Sequence, residues 1–271
     1  MADPSPDQAD CHLRVLDLDL DFFIDGVAHW RTADSARLDA EEFPPWPHDE
    51  ALRFLEERCL LDGRLPGIAI EHHRELFPRW RAGVEAGSLA APFHVTHVDA
   101  HADLGLGEIS YQYLMTELLF EAPKDRLWPR EGPGGLDDGS FLAFAIACRW
   151  ISDLVYVFND GGGSDVFSFF REGFDPAADR IQLPAMNRAE MEKVAGLRGG
   201  EFGKGNAERL EPSVPFAEVP WHSFQAPAPF DFISLTRSPA FTPPEADVLF
   251  DEIRRRWIDE SAGESFLGGM A

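Results

Sequence analysis

The chain has 271 residues, 44% of them hydrophobic and 12% aromatic, enough to bury a substantial core and to exclude global disorder. With 48 acidic against 24 basic residues its formal charge is −24, which repels phosphate backbones and anionic lipid and so argues against nucleic acid and membrane as partners. Such a surface draws in metal ions and basic peptides instead, although solubility alone is the plainer reason for it.

Cys11, Cys59 and Cys148 lie far apart and form no C-x-x-C, so neither a disulfide framework nor a zinc knuckle is expected. The N-terminus is acidic and lacks an apolar core, and no apolar run approaches about 18 residues. A cytoplasmic location is expected.

Residues 1–12 are read as a disordered or extended N-terminus, 13–258 as one domain, and 259–271 as a C-terminal tail. Within the domain, Leu13 to Phe23 is the first structured element, with Leu and Val alternating with Asp. A helix is expected from about Asp49 to Leu61, a short buried strand at Gly67 to Ile70, and a helix over His73 to Val84 that Pro78 distorts or opens. Phe93 to Val98 reads as a strand, Tyr113 to Phe120 and Phe141 to Ile151 as helices, and Leu154 to Phe158 as a strand. Phe230 to Leu235 is the expected last strand, and a helix from about Pro244 to Trp257 follows it. Strands alternating with helices predict an α/β fold with a mainly parallel sheet covered on both faces. Residues 159–229, rich in Gly and Pro, read as an irregular insertion or a lid.

The segment Thr96-His-Val-Asp-Ala-His-Ala-Asp103 leaves an apolar strand with acid, imidazole and acid at every second position. In extended backbone such residues point to one side, so Asp99, His101 and Asp103 are expected to converge at the carboxyl end of a strand, where open α/β sheets place ligands. Val15-Leu-Asp-Leu-Asp-Leu-Asp21 repeats the pattern: Asp17, Asp19 and Asp21 share one strand face while leucines fill the other. Neighbouring buried carboxylates are costly unless a cation neutralises them, so two such rows predict a shared cation cluster. Glu71-His72-His73 follows a short apolar strand and offers one imidazole more. Two His and four Asp suit Mn²⁺ better than Zn²⁺, and six ligands fit two ions sharing carboxylates.

These segments resemble the arginase-like metallohydrolases (ureohydrolases), whose D-x-H-x-D and D-x-D motifs bind two manganese ions. Asp99-Ala-His101-Ala-Asp103 matches the first motif and Asp19-Leu-Asp21 the second, and His73 is similar to a further histidine ligand. A closer likeness is to a divergent arginase-like family carrying V-L-D-L-D-L-D-F-F, E-[DH]-H and F-D-[SA]-H-x-D-L segments, found here at Val15 to Phe23, Glu71 to His73 and Val98 to Leu104. Some of its members are peptide arginases that convert arginine side chains of ribosomal precursor peptides to ornithine and release urea. The resemblance implies a three-layer arginase/deacetylase-like fold, two Mn²⁺ per chain, a metal site of Asp19, Asp21, His73, Asp99, His101 and Asp103, and an arginine-containing peptide substrate.

The motif order is permuted relative to ordinary arginases, and no histidine lies between Leu104 and Leu136 where those enzymes carry a proton shuttle. A ligand carboxylate, Asp103, is therefore the expected proton relay, and Glu71, Asp17 and Glu108 are candidate partners for the guanidinium. A single-zinc deacetylase or amidohydrolase on the same fold would need neither Asp103 nor the full Asp19/Asp21 pair. A non-catalytic metal-binding homologue is the other alternative. The stretch Gly199 to Gly205 fails the phosphate-loop pattern and is expected to be a turn-rich loop.

Overall fold

Apolar runs bounded by turn residues make the strands, and a computed structural model describes residues 12–32, 34–105, 109–163, 165–196 and 205–268. Strand β1 (Arg14–Asp19) is followed by a 3-10 turn, Leu20–Phe23. Helix α1 (His48–Arg53) runs into a π turn at Phe54–Arg58, and β2 (Leu65–Ile70) leads to α2 (Leu76–Ala86). Pro78 sits in the first turn of α2, where its missing N–H breaks no helical hydrogen bond. There follow β3 (Phe93–Val98), α3 (Ser110–Thr116), α4 (Phe141–Ala147) and β4 (Ile151–Phe158). The chain continues through β5 (Arg180–Ile181), β6 (Pro184–Ala185), α5 (Arg188–Val194), β7 (Arg209–Leu210) and β8 (Val214–Pro220). It closes with β9 (Phe232–Thr236), α6 (Asp247–Trp257), β10 (Ile258–Asp259) and α7 (Glu260–Phe266).

Eight strands form one sheet in the order β10-β2-β9-β1-β3-β4-β8-β5, parallel throughout except for the antiparallel edge strand β5. Alternation along β1 and β3 sends Val15, Phe93 and Val95 into one core, with Phe77 and Trp80 of α2 and Phe141 and Phe144 of α4. Leu16 and Leu18 enter the core on the opposite face, with Leu52 of α1 and Leu249, Phe250 and Ile253 of α6. The protein is thus an α/β fold with helices around a large, mostly parallel sheet, compatible with three layers. No helix of the described residues is long and apolar enough to cross a membrane.

Several boundaries differ from expectation: α4 ends at Ala147, so that Ile151 opens β4, and the helix expected over Tyr113 to Phe120 is α3 with a separate 3-10 turn at Leu118–Phe120. Residues 159–229 are not irregular throughout, because they supply β8 and the sheet edge β5. Pro215 and Pro220 hide β8 in the sequence, since proline breaks the usual strand signature. Nor are residues 259–266 a tail. They form the end of β10 and helix α7, which lies so close to β2 that a Cβ on Gly263 would sit 1.9 Å from the Gly67 carbonyl oxygen. Gly263→Ala is therefore expected to push α7 off the sheet and cost about 1–3 kcal/mol, read as a lower midpoint in urea unfolding. Residues 1–11 and 269–271 of the expected termini lie outside the described residues, as does most of Gly199 to Gly205.

Candidate metal centre

Strand β1 is the middle of the sheet, and its register sets Asp17 beside His97 of β3 and Ser234 of β9. The strand stops at Asp19, whose Oδ1 accepts a hydrogen bond from the Asp21 amide at 3.0 Å and opens the 3-10 turn. Asp99 does the same after β3, its Oδ1 accepting from the His101 amide at 2.7 Å. The acids therefore converge through turns at the strand ends, not along one extended face. Asp103, the last of them, takes a left-handed backbone conformation with φ 49°.

Six predicted ligands meet in this buried cluster. His73 Nδ1 lies 3.1 Å from Asp19 Oδ2, 3.3 Å from Asp99 Oδ2 and 3.0 Å from Asp103 Oδ2. His101 Nδ1 lies 3.1 Å from Asp21 Oδ2 and 3.7 Å from Asp99 Oδ1. The opposite nitrogens are already committed: His73 Nε2 donates to Asp17 at 3.1 Å, and His101 Nε2 donates to the Ala28 carbonyl at 3.1 Å. Carboxylate and carbonyl oxygens only accept, so Nε2 carries a proton on both rings, while each Nδ1 faces carboxylates and becomes a ligand atom once its own proton is lost. His73 Nδ1 is buried and, despite its three carboxylate neighbours, has no partner in hydrogen-bonding geometry. This is the environment of a metal-ligating imidazole. The clusters Asp19–His73–Asp99 and Asp21–Asp99–His101 could hold a metal ion, with ligand atoms within 4.8 Å of one another.

The charges agree. Burial, then the charge of Asp99, pushes the Asp103 carboxyl up to about 7. Burial and Asp99 likewise raise Asp19, and burial with Asp19 raises Asp21. Burial also opposes ionisation of Asp99, but His97, His101 and His73 outweigh it and hold that carboxyl well below the usual range. His73 and His101 are raised well above an ordinary histidine, burial being overcome by Asp17 and its companions for the first and by Asp21 and Asp99 for the second. Without a cation the cluster therefore stores protons on its own ligands. Ligation needs Asp103 ionised and both imidazoles neutral, so deprotonation favours the bound form and affinity must rise with pH. Loading of a divalent cation is expected to release protons, with affinity climbing through about pH 7 as Asp103 ionises. Calorimetry in buffers of different ionisation enthalpy reads this directly, and a buffer-independent heat would contradict it.

Other expected residues fall elsewhere. Asp17 is fully buried beneath the cluster, bonded to His73, to His97 Nδ1 at 2.8 Å and to Ser234 Oγ at 2.8 Å. It holds imidazoles in place and cannot face a substrate. His73 and His97 outweigh its burial and keep it ionised below the usual range. Glu71 is exposed, and Arg237 Nε donates to its Oε1 at 3.0 Å, so its charge is already answered. Glu108 lies outside the described residues.

Several residues of the site were not expected. His97 has acceptors on both nitrogens, Asp17 and the His101 carbonyl at 3.1 Å, so both donate and the ring is a fixed cation. Burial alone would lower its pKa, but Asp99 and Asp17 push it up to about 9. The same every-second-residue rhythm, continued back from Asp99, could have found it. Ser238 Oγ donates to Asp19 Oδ2 from a left-handed backbone with φ 46°. Tyr156 donates to the Ala100 carbonyl at 2.9 Å, and Asp165 accepts from the Ala102 amide at 3.1 Å. Searches against protein-family models, curated proteins and solved structures each return no match to this chain.

Proposed function

We propose that this chain is an arginase-like, binuclear manganese hydrolase that converts arginine side chains of a peptide, such as a ribosomal precursor in the cytoplasm, to ornithine with release of urea. The observation that carries the reading is the divided carboxylate of Asp99: Oδ1 faces His101 beside Asp21, while Oδ2 faces His73 beside Asp19 and Asp103. One side chain addressing two ligand sets is what a pair of ions requires. Asp19, bonded through Oδ1 to the Asp21 amide and set through Oδ2 beside His73, would be the second shared carboxylate if two ions bind. Asp103 and the complete Asp19/Asp21 pair favour two ions over a single zinc.

The ions, when bound, supply a water of lowered pKa and electrostatic stabilisation of the charge that develops on attack at the guanidinium carbon. The chain's own residues do the rest. Asp17 and the Ala28 carbonyl hold His73 and His101 in their ligating tautomers. His97 fixes the loop through the His101 carbonyl. Asp103, ionised in the loaded site, would accept the proton that the attacking water gives up and pass it to the leaving amine. The loop of Ala28 borders the site, since His29 packs edge-on against the His101 ring at 5.4 Å between centroids, and the next residue, Trp30, is 94% exposed. An exposed indole next to His29 in the chain and a net charge of −24 both favour a cationic peptide over a small amino acid.

A urea assay with Mn²⁺, comparing free arginine, agmatine and arginine-containing peptides, tests the proposal. Peptides are expected to turn over fastest. Free arginine turning over equally well rejects the peptide preference, and no urea from any substrate rejects the hydrolase.

A further inference from the structure

A guanidinium is planar and permanently charged, so a site that selects it needs a carboxylate that is neither consumed by the ligand cluster nor paired with another cation. Asp17 and Glu71 fail on these two counts, being bonded beneath the imidazoles and to Arg237 respectively. Asp165 meets both. It follows β4, the neighbour of β3, in the glycine-rich loop at the same edge of the sheet. Both its oxygens contact one amide, that of Ala102 between His101 and Asp103, at 3.1 and 3.3 Å. It lies within electrostatic reach of His101 and Asp99, is half-buried, and among the described residues pairs with no Lys or Arg. A carboxylate has about four lone-pair positions, so acceptor capacity remains.

The loop that carries it is pinned. Asn159 Oδ1 accepts from the Gly161 and Gly162 amides at 3.1 and 2.7 Å, while its Nδ2 donates to the Phe22 and Ile24 carbonyls at 3.0 and 3.2 Å. One buried amide thus ties the Asp165 loop to the turn that carries Asp21. Burial pushes the Asp165 carboxyl above its ordinary value, a cost that an incoming cation relieves.

Resting on the arginase-like reading above, we infer that Asp165 is the specificity-determining carboxylate of this site, accepting the guanidinium of the arginine side chain while its Ala102 contact keeps it beside the cluster. The variant Asp165→Asn separates charge from position, because the amide oxygen still accepts from Ala102. Stopped-flow anisotropy on the manganese-loaded full chain, read before turnover, would compare an arginine peptide with its citrulline counterpart, which has the same shape and no charge. The wild type is expected to prefer the arginine peptide by about tenfold or more, as a charge-assisted pair predicts. Asp165→Asn should erase that preference with citrulline-peptide binding and manganese content unchanged.

Retention of the preference in Asp165→Asn overturns the inference, as does loss of manganese in that variant or the lack of any preference in the wild type. A wild type that discriminates but releases no urea keeps the assignment and rejects the hydrolase. Urea release with discrimination intact in Asp165→Asn does the reverse.

Discussion

Asp99→Ala is expected to abolish manganese retention and urea release together, with turnover falling by at least about a thousandfold. The reasoning is geometric. Asp99 sets one oxygen toward each imidazole, so its loss weakens both ligand sets where loss of a terminal ligand weakens one. Asp99→Asn is the sharper variant, because its amide oxygen still accepts from the His101 amide and keeps the loop in place. Only the charge goes. In the wild type, manganese at about 100 times its dissociation constant should add about 2.7 kcal/mol of stability, visible as a rise in Tm. The Asn variant should fold, show no such rise and release no urea. Metal content and turnover that stay at wild-type levels would contradict the shared-carboxylate geometry.

Much of this site is legible in the sequence because convergence leaves a local trace. Acids and imidazoles at every second position on two segments announce that they end on one side of a sheet. The trace is right about the meeting and wrong about its cause. Alternation suggests one extended face, yet β1 stops at Asp19 because the Asp19 side chain captures the Asp21 amide and turns the chain. What sequence does not carry is register. Ser234 acquires meaning only when the sheet sets it opposite Asp17, and the same register is what gives His97 its partner. Asp165 and Asn159 are polar residues on either side of a glycine run, indistinguishable from turn chemistry until β4 delivers them to the edge shared with β3.

The fold divides in the same way. Strands β1 to β4 and β9 show in the sequence as short apolar or alternating runs, with ends that shift by a few residues. β8 is masked by its prolines, and α7 by its shortness, with Phe266, stacked on Phe232 at 5.1 Å between centroids, as its one aromatic anchor. Its docking depends on what Gly263 lacks, a side chain that would strike Gly67.

The largest stability effect is expected far from the metal centre. Arg126 is completely buried, and each guanidinium nitrogen is used: Nε donates to the Glu121 carbonyl at 3.0 Å, Nη1 to Ala147, and Nη2 to the Leu119 carbonyl at 3.0 Å and Glu211 Oε1 at 2.7 Å. Glu211 is buried too, its other oxygen held by Arg149 Nη2 at 3.0 Å, and its amide donates to the Leu183 carbonyl at 3.0 Å. The pair fastens the segment before β8 to the C-terminal end of α4. Arg126→Ala leaves a buried carboxylate short of its main partner and strands three carbonyls, which should cost about 3–5 kcal/mol in denaturant unfolding. Arg126→Lys should recover little, because a single ammonium cannot match the planar fork.

The sign with pH follows from Glu211. Burial opposes its ionisation, but the hydrogen bonds of Arg126 and Arg149 outweigh it and hold the carboxyl below its ordinary value of 4.5. The unfolded chain therefore binds the proton first as pH falls, so the pair's contribution is complete above that value and is lost on acidification through the lower, folded one. The gap between wild type and Arg126→Ala should accordingly be full at neutral pH and close at the acid end. Manganese binding per folded molecule should not change, and a gap that is already closed at pH 7 would show that the pair does not carry the stability assigned to it.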